Sequence, residues 1–250
     1  MISGYTITRD CVTHDYCFEE CIRSMLTFCD EVVVGDAHST DGTRERAVAI
    51  DPRVRIVDYP RQENIFNEKD FVSKWVNATR EHLKGDYQFY LDADEVADPN
   101  ARELIAASKI GAALRMDRLN FWKDPAHVVQ PGDICGKHVI RSGPKGMWMP
   151  MDCAPMCKRD LEYQRIERPS GLKIFHYGFL RRPEAFFKKS RFFQPALVGD
   201  LDKRLVQSEQ DGTPWADSIT LQRPTVPYTG PHPAVAIPWL RQRGYNPLSQ

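Results

Sequence analysis

The first ninety residues switch repeatedly between two periods of hydrophobicity, and this alternation restricts the possible folds more than any other feature. Apolar runs typical of buried strands occupy 4–8, 30–38, 54–59 and 85–94. Apolar residues at the 3.6-residue spacing of helices occupy 18–26, 39–50 and 71–83. This β-α-β-α-β-α-β order predicts an α/β fold with a mostly parallel central sheet and helices on both faces.

The pattern changes after Pro99. Strand-like segments with looser connections follow at 111–122, 137–143 and 145–152. They predict a mixed C-terminal extension of the same sheet. A helix is expected over 182–194, with Pro183 in its first turn. Prolines crowd the chain after residue 211, so we expect 195–250 to form a Pro-rich extension or a lid.

Composition excludes some classes of protein. Lys+Arg and Asp+Glu are both 34, so no net field attracts the chain to nucleic acid or a membrane. No apolar run approaches the roughly 18 residues of a membrane span, and the N-terminus does not resemble a signal peptide. Seven cysteines, an odd number, favour a cytoplasmic location over a disulfide framework. Cys17 and Cys21, at helical spacing in an apolar stripe, are predicted to be buried thiols, with zinc the alternative.

Polar residues gather where the predicted strands end. They are Thr8 and Arg9 after the first strand, Asp36 after the second, and Asp92, Asp94 and Glu95 after the fourth. Ligands of parallel sheets bind outside the carboxyl ends of the strands. We therefore expect these residues to converge on one edge, where Arg9 could meet a phosphate or form a surface ion pair.

The D-x-D sequence at the end of the fourth strand suggests a metal. In an extended chain Asp92 and Asp94 would point the same way, because side chains alternate. Two carboxylates on one side suit Mg²⁺ or Mn²⁺, which usually complete their shell with substrate phosphate oxygens. The alternative is a solvated acidic turn. Glycine-rich phosphate motifs of the P-loop and dinucleotide-binding types are absent.

Two blocks resemble a known family. The segment "DEVVVGDAHSTDGT" (30–43) is similar to the nucleotide-binding segment of family 2 glycosyltransferases. The segment "VNATREHLKGDYQFYLDADE" (76–95) resembles their next block, in the bacterial and phage branch carrying L-D-A-D-E. Clear resemblance covers 4–98, and weaker resemblance continues to about 194. Gly35 and Val76 depart from the usual pattern.

The resemblance implies a GT-A fold and a nucleotide-diphosphate sugar donor. Residues 1–98 would form the nucleotide-sugar-binding half and 99–194 the acceptor-side half. Asp36 would contact the base or ribose, Asp92 the ribose or metal, and Asp94 the metal. "IFHYGFL" (174–180) resembles a later family segment whose histidine, here His176, faces the metal. Thr8, Arg9 and Asn77 complete the predicted donor site.

A direct, inverting transfer needs a base to take the proton of the acceptor hydroxyl. Asp152 is the first candidate, because it is an acid among apolar residues, where desolvation could raise its pKa. It could equally cap a helix over 153–160. Glu95 is the second candidate. Ser39, Thr40 and Asp41 are interpreted as the N-cap and first turn of the second helix.

The acceptor remains open between a saccharide, a lipid-linked sugar and a DNA base. The segment 175–194 alternates aromatic and basic residues. It is either an amphipathic helix, with Phe186, Phe187, Ser190 and Phe193 inward and Lys188, Lys189 and Arg191 solvated, or a nucleic-acid face. The leading hypothesis is a hexosyltransferase-type enzyme. The alternatives are a nucleotidyltransferase, against which 8–16 lacks glycine, and a nucleic-acid-binding module on an inactive GT-A scaffold.

Overall fold

A computed structural model describes residues 1–61, 70–107, 113–130, 138–149, 157–158, 166–167, 172–186, 188–189 and 224–247. The strands are β1 (Ile2–Thr8), β2 (Glu31–Asp36), β3 (Val54–Asp58), β4 (Tyr87–Tyr90), β5 (Glu95–Ala97), β6 (Ala113–Trp122), β7 (Asp124–Val129), β8 (His138–Pro144), β9 (Met147–Trp148), β10 (Cys157–Lys158), β11 (Ile166–Glu167), β12 (Lys173–His176) and β13 (Thr225–Pro227). The helices are α1 (Phe18–Leu26), α2 (Thr43–Val48), α3 (Phe71–Arg80), α4 (Ala101–Ala107) and α5 (Ile237–Arg241).

The predicted α/β class is confirmed. The strands β4, β1, β2 and β3 lie side by side and are all parallel. Val32 and Val34 pack in the same cluster as residues of α1, whereas Val33 packs with Val76 of α3. Because side chains alternate along a strand, α1 and α3 cover opposite faces of the sheet. All six residues of β2 are buried, which explains its continuous valine run.

The predicted mixed extension is also present. Beyond β4 the sheet continues through β8, β6, β7 and β13, and each of these neighbouring pairs is antiparallel. The strand β12 lies parallel to β6 and antiparallel to β5. This double pairing brings the end of β12 beside the turn that follows β4.

Two local predictions were wrong. The fourth strand ends at Tyr90, so Asp92 and Asp94 lie in a turn instead of extended chain, and Glu95 begins β5. The helix α2 begins at Thr43 behind Gly42, whose φ of 90° is left-handed, and Ser39 and Thr40 do not cap it. Ser39 instead donates to the buried carboxylate of Asp36, because a buried charge needs hydrogen-bond partners more than a helix end does.

The cysteines of α1 and its neighbouring loops are buried free thiols, as predicted for Cys17 and Cys21. Burial raises the pKa of both thiols well above the ordinary value, so they pack as small apolar groups. Within the described parts of the chain, no helix is long and apolar enough to cross a membrane.

The described part of the C-terminal extension, 224–247, packs on the body. The strand β13 joins the edge of the sheet at β7, and Trp239 and Leu240 of α5 are buried against Phe121 and Tyr177. His232 accepts a hydrogen bond from the Tyr177 hydroxyl at Nδ1 (2.9 Å) and donates from Nε2 to the Pro125 carbonyl (3.0 Å). A carbonyl can only accept, so Nε2 carries a proton, and in the neutral imidazole Nδ1 is then the acceptor of the Tyr177 hydroxyl.

We expect His232 to make folding stability fall in acid. Burial lowers its pKa below the ordinary value of about 6.5, so the unfolded chain binds the proton more readily. The contribution is full above pH 6.5 and is lost as the pH falls from there through the folded pKa. Urea unfolding at pH 8 and pH 5 should show a smaller pH-dependent loss for His232→Gln than for the wild type. The same comparison for exposed His38→Gln should match the wild type; equal losses in all three proteins would contradict the assignment.

Candidate functional site

The candidate site lies where the sheet reverses its strand order. The strand β1 pairs with β2 on one side and with β4 on the other. After β1 the chain continues to β2 on one side, whereas after β4 the sheet is extended on the other side. A crevice at such a switch point is the usual ligand site of an open parallel sheet. Here it is a cavity of about 280 Å³. Its lining includes Ile7 of β1, Arg9, Cys11, His14 and Tyr16 after β1, Asp92, Ala93 and Asp94 after β4, Phe71, Val72 and Trp75 of α3, and Arg118, His176 and Lys189.

The acidic residues after β4 form a tight turn. The N–H of Glu95 donates to the Asp92 carbonyl (2.9 Å), and the Glu95 carboxylate accepts the N–H of Asp92 (2.8 Å). The extended-chain argument for Asp92 and Asp94 is therefore wrong, because the backbone reverses between them. Both residues nevertheless line the cavity together with Arg9, whereas Thr8, Asp36 and Glu95 do not belong to its lining.

Asp94 is buried among cations. Its Oδ2 forms an ion pair with Arg181 and lies 3.7 Å from Lys189 Nζ. Burial opposes ionisation, but the surrounding His176, Lys189 and Arg181 hold the pKa of Asp94 well below its ordinary value. Asp94 is thus a carboxylate throughout the physiological pH range.

Arg118 of β6 neutralises the other two acids. Its Nε lies 2.6 Å from Glu95 Oε1, and its Nη2 lies 3.6 Å from Asp92 Oδ2. Asp92 also accepts a hydrogen bond from the Tyr90 hydroxyl (2.6 Å). Glu95 is fully buried and closes the turn, so its use as a general base would require these contacts to open. That role stays a prediction.

His176 stands beside Asp94 because β12 pairs with β5. In the register of that pair His176 is opposite Glu95, and its Nε2 lies 3.6 Å from Asp94 Oδ1. Burial and the nearby Arg118 lower the pKa of His176 to about 4. The imidazole is therefore neutral at pH 7 and has a lone pair to give to a cation.

The backbone passes close to this pair at Gly178. A Cβ there would lie 2.5 Å from His176 Nε2 and 2.6 Å from Asp94 Oδ2, so only glycine leaves the space beside both groups open. Two bonds of ~2.1 Å to one ion place their ligand atoms about 3.0 Å apart at a right angle and about 4.2 Å apart when opposite. The 3.6 Å between His176 Nε2 and Asp94 Oδ1 falls within that interval.

These residues fit a divalent ion as a two-ligand site. Among the residues whose positions the structure describes, no three His, Cys, Asp or Glu side chains come close enough together to hold an ion. Asp94 and His176 would therefore supply two ligands, and phosphate oxygens, water or a shifted Asp92 would have to supply the others. Arg181 forms an ion pair with Asp94 and would compete with the ion for this carboxylate.

Asp36, predicted to hold the donor nucleoside, is fully buried at the end of β2. Its carboxylate accepts hydrogen bonds from the Thr8 hydroxyl (2.8 Å), from the N–H and hydroxyl of Ser39 (2.8 and 2.6 Å) and from Arg44 (3.0 Å). Thr8 is buried with it. Together they join the ends of β1 and β2, whereas Arg9 lines the cavity directly. Donor contact by Asp36 and Thr8 stays a prediction.

Asn77 does not belong to the lining of this cavity. The Asn77 side chain donates to the Met149 carbonyl (2.8 Å) and accepts the Met149 N–H (3.0 Å), so it ties α3 to the chain after β9. Its role toward the donor stays a prediction. Asp152, the candidate base, lies outside the described residues.

Sequence reasoning missed the cations that surround Asp94. Arg181 was considered only as part of a nucleic-acid face, but it is buried, and its guanidinium stacks 3.7 Å from the Tyr16 ring. Lys189 was expected to be solvated, but it lies in the cavity wall. Phe186 is buried as predicted. Asp94 attracts both cations across a long stretch of sequence, and no local pattern signals such a pairing.

The comparisons with known proteins give similarities of fold only. No protein-family model matches the chain, and no curated protein matches it in sequence. Among solved structures, S. aureus TarS 1-349 is 14% identical over 84% of this chain and 68% of that chain, with a TM-score of 0.46. The Mycobacterium tuberculosis glucosyl-3-phosphoglycerate synthase, solved with Mn²⁺ and UDP, is 20% identical over 49% and 44%, with a TM-score of 0.35. The Rubrobacter xylanophilus mannosyl-3-phosphoglycerate synthase is 18% identical over 50% and 41%, with a TM-score of 0.34.

Proposed function

We propose that this chain is a metal-dependent glycosyltransferase of the GT-A type, which moves a sugar from a nucleotide diphosphate to an acceptor hydroxyl. One observation carries the proposal. Asp92 and Asp94 of the turn after β4, the neutral His176 and the cation Lys189 line a single cavity at the switch point of a parallel sheet, and Arg181 forms an ion pair with Asp94.

The charges of this site suit a diphosphate leaving group. Asp94 and His176 would hold Mn²⁺ or Mg²⁺, and the bound ion would supply positive charge to the leaving diphosphate. Arg9 and Lys189 line the same cavity, and their side chains can donate hydrogen bonds to phosphate oxygens. Phe71, Val72 and Trp75 give the cavity an apolar wall on the side of α3, which suits the flat face of a base.

The remaining steps are proposals that rest on the sequence. Direct displacement with inversion requires a base near the acceptor, and Asp152 is the candidate. The acceptor is a saccharide, a lipid-linked sugar or a DNA base. A DNA acceptor is the least favoured of these, because Arg181 is buried and Lys189 faces Asp94, so neither is available to an outer nucleic-acid surface.

The proposal is tested by a screen of nucleotide sugars. The wild-type protein, with Mn²⁺ or Mg²⁺, is expected to release a nucleoside diphosphate from at least one donor, and EDTA should abolish the release. Chromatography of the released nucleotide distinguishes glycosyl transfer from nucleotidyl transfer. Release of pyrophosphate from a nucleoside triphosphate would instead identify a nucleotidyltransferase. Full turnover in EDTA would contradict the metal site while leaving glycosyl transfer in place.

Arg181→Gln is expected to tighten the binding of Mn²⁺. Arg181 pairs with Oδ2 of the carboxylate whose Oδ1 faces His176, so in the wild-type protein the ion must compete with Arg181 for the charge of Asp94. Removing that competition should lower the Kd for Mn²⁺ by about tenfold. Titration of the free protein with Mn²⁺, followed by electron paramagnetic resonance, measures this without any turnover. Unchanged or weaker binding would show that Arg181 and the ion do not share Asp94. Arg182→Gln, at the exposed neighbouring residue, is the matched control and should bind Mn²⁺ as the wild type does.

A further inference from the structure

Three distant segments of the chain meet at Asp15. Asp15 lies in the loop between β1 and α1, with a left-handed φ of 53°. Its Oδ2 accepts the main-chain N–H of Arg182 (2.9 Å) and a hydrogen bond from Arg243 Nε (3.1 Å). Its Oδ1 forms an ion pair with the same guanidinium. Arg243 and Asp15 are 5% and 11% exposed, so the pair is shielded from solvent.

Arg243 is itself held firmly by the C-terminal segment. Its Nη1 donates to the Trp239 carbonyl (2.6 Å), and its guanidinium lies 3.4 Å from the centre of the Trp239 ring. Trp239 is packed in the cluster that contains Tyr177 and Leu180. The segment 224–247 therefore presents a fixed cation to the β1–α1 loop.

Asp15 sits between two residues of the cavity wall, His14 and Tyr16. The Tyr16 ring supports Arg181, whose guanidinium lies 3.7 Å from the ring centre, and Lys189 Nζ lies 4.9 Å from the same centre. Asp15 thus joins the loop that carries Tyr16 to the segment that carries Arg181. The Asp15 carboxylate accepts the main-chain N–H of Arg182 and also pairs with Arg243, which balances its negative charge.

We propose that Arg243 is a positioning residue for the candidate site: through Asp15 it fixes Tyr16 and Arg181 relative to each other, and so sets the affinity of the cavity for a diphosphate. The inference rests on the proposed function for the identity of the ligand. A purely structural ion pair would lower the melting temperature of the protein without changing affinity in the molecules that remain folded.

The first test measures binding of UDP, GDP, ADP and CDP, each with Mg²⁺, by calorimetry below the melting temperature of every variant. For the nucleotide that the wild type binds best, Arg243→Gln should raise the Kd about tenfold, and Arg243→Lys should restore part of the loss. Arg182→Ala should bind normally, because only its main-chain N–H contacts Asp15. Arg55→Gln should also bind normally, since it breaks an ion pair to Glu31 that lies away from the cavity. Wild-type affinity in Arg243→Gln would overturn the proposal.

The second test needs no ligand. Hydrogen exchange is measured on the whole protein. In Asp15→Asn and Arg243→Gln, the amides of 10–17 and 177–186 should exchange faster than in the wild type. In Arg55→Gln they should exchange at the wild-type rate. If the wild type binds none of the four nucleotides, the proposed function fails, but the exchange data still decide whether Arg243 controls this region. Equal exchange in both segments for all variants would overturn the coupling itself.

Discussion

Asp94→Asn is expected to lower the turnover of nucleotide sugar about 1,000-fold, the size of effect found when one preorganised electrostatic contact to a developing charge is removed. The Asp94 carboxylate lies beside His176, Arg181 and Lys189, and it is the proposed carboxylate ligand of the ion. Asparagine keeps the size of the side chain but removes its charge. Release of nucleoside diphosphate under saturating donor and Mn²⁺ gives the measurement.

The same substitution also costs stability, which must be separated from catalysis. Loss of Asp94 leaves Arg181 buried without its anion, and breaking a buried pair from one side costs about 3–5 kcal/mol. The double variant Asp94→Asn/Arg181→Gln removes both charges and should recover most of that stability. It should remain as inactive as the single variant. Turnover within about tenfold of the wild type in the double variant would remove Asp94 from the reaction, since a loss of one contact is expected to exceed that factor.

Gly35→Ala is expected to lower the free energy of unfolding by about 3 kcal/mol, at the upper end for overpacking a core. A Cβ at this position would lie 1.9 Å from the Thr79 hydroxyl oxygen and 2.9 Å from the Thr79 Cβ. The strand cannot move away easily, because the Gly35 carbonyl accepts a hydrogen bond from Trp75 Nε1 (3.1 Å). This contact explains why Gly35 stands where the resembling family often has an apolar residue.

Thr79→Ala provides the internal control for this prediction. It removes the hydroxyl and methyl groups that the new Cβ would meet, but not the Thr79 Cβ. The Gly35→Ala/Thr79→Ala protein should therefore be more stable than the sum of the two single effects, a coupling that urea unfolding can measure. Additive effects, or a loss below about 0.5 kcal/mol for Gly35→Ala alone, would show that β2 and α3 separate at little cost.

The order of the strands β1 to β4 and of the helices α1 to α3 could be predicted from the amino-acid sequence. The continuous valine run of β2 and the apolar stripes of α1 and α3 reflect which residues of each element are buried, and such patterns are visible in the local sequence. The same reasoning placed Arg9, Asp92 and Asp94 at one edge of the sheet, because parallel strands carry their following residues to the same side.

The ion pairs between distant residues could not be predicted from the sequence and are visible only in the folded chain. Arg181 pairs with Asp94 across 87 positions and Arg243 with Asp15 across 228. An ion pair depends on the distance between two side chains in space, and no period along the chain encodes that distance. The turn at Asp92–Glu95 is closed by local hydrogen bonds, but Arg118 of β6 and the strand β12, which lie beside it, come from distant parts of the sequence. The acids of the motif were visible in the sequence, but the cations that balance them became visible only when the strands were brought together.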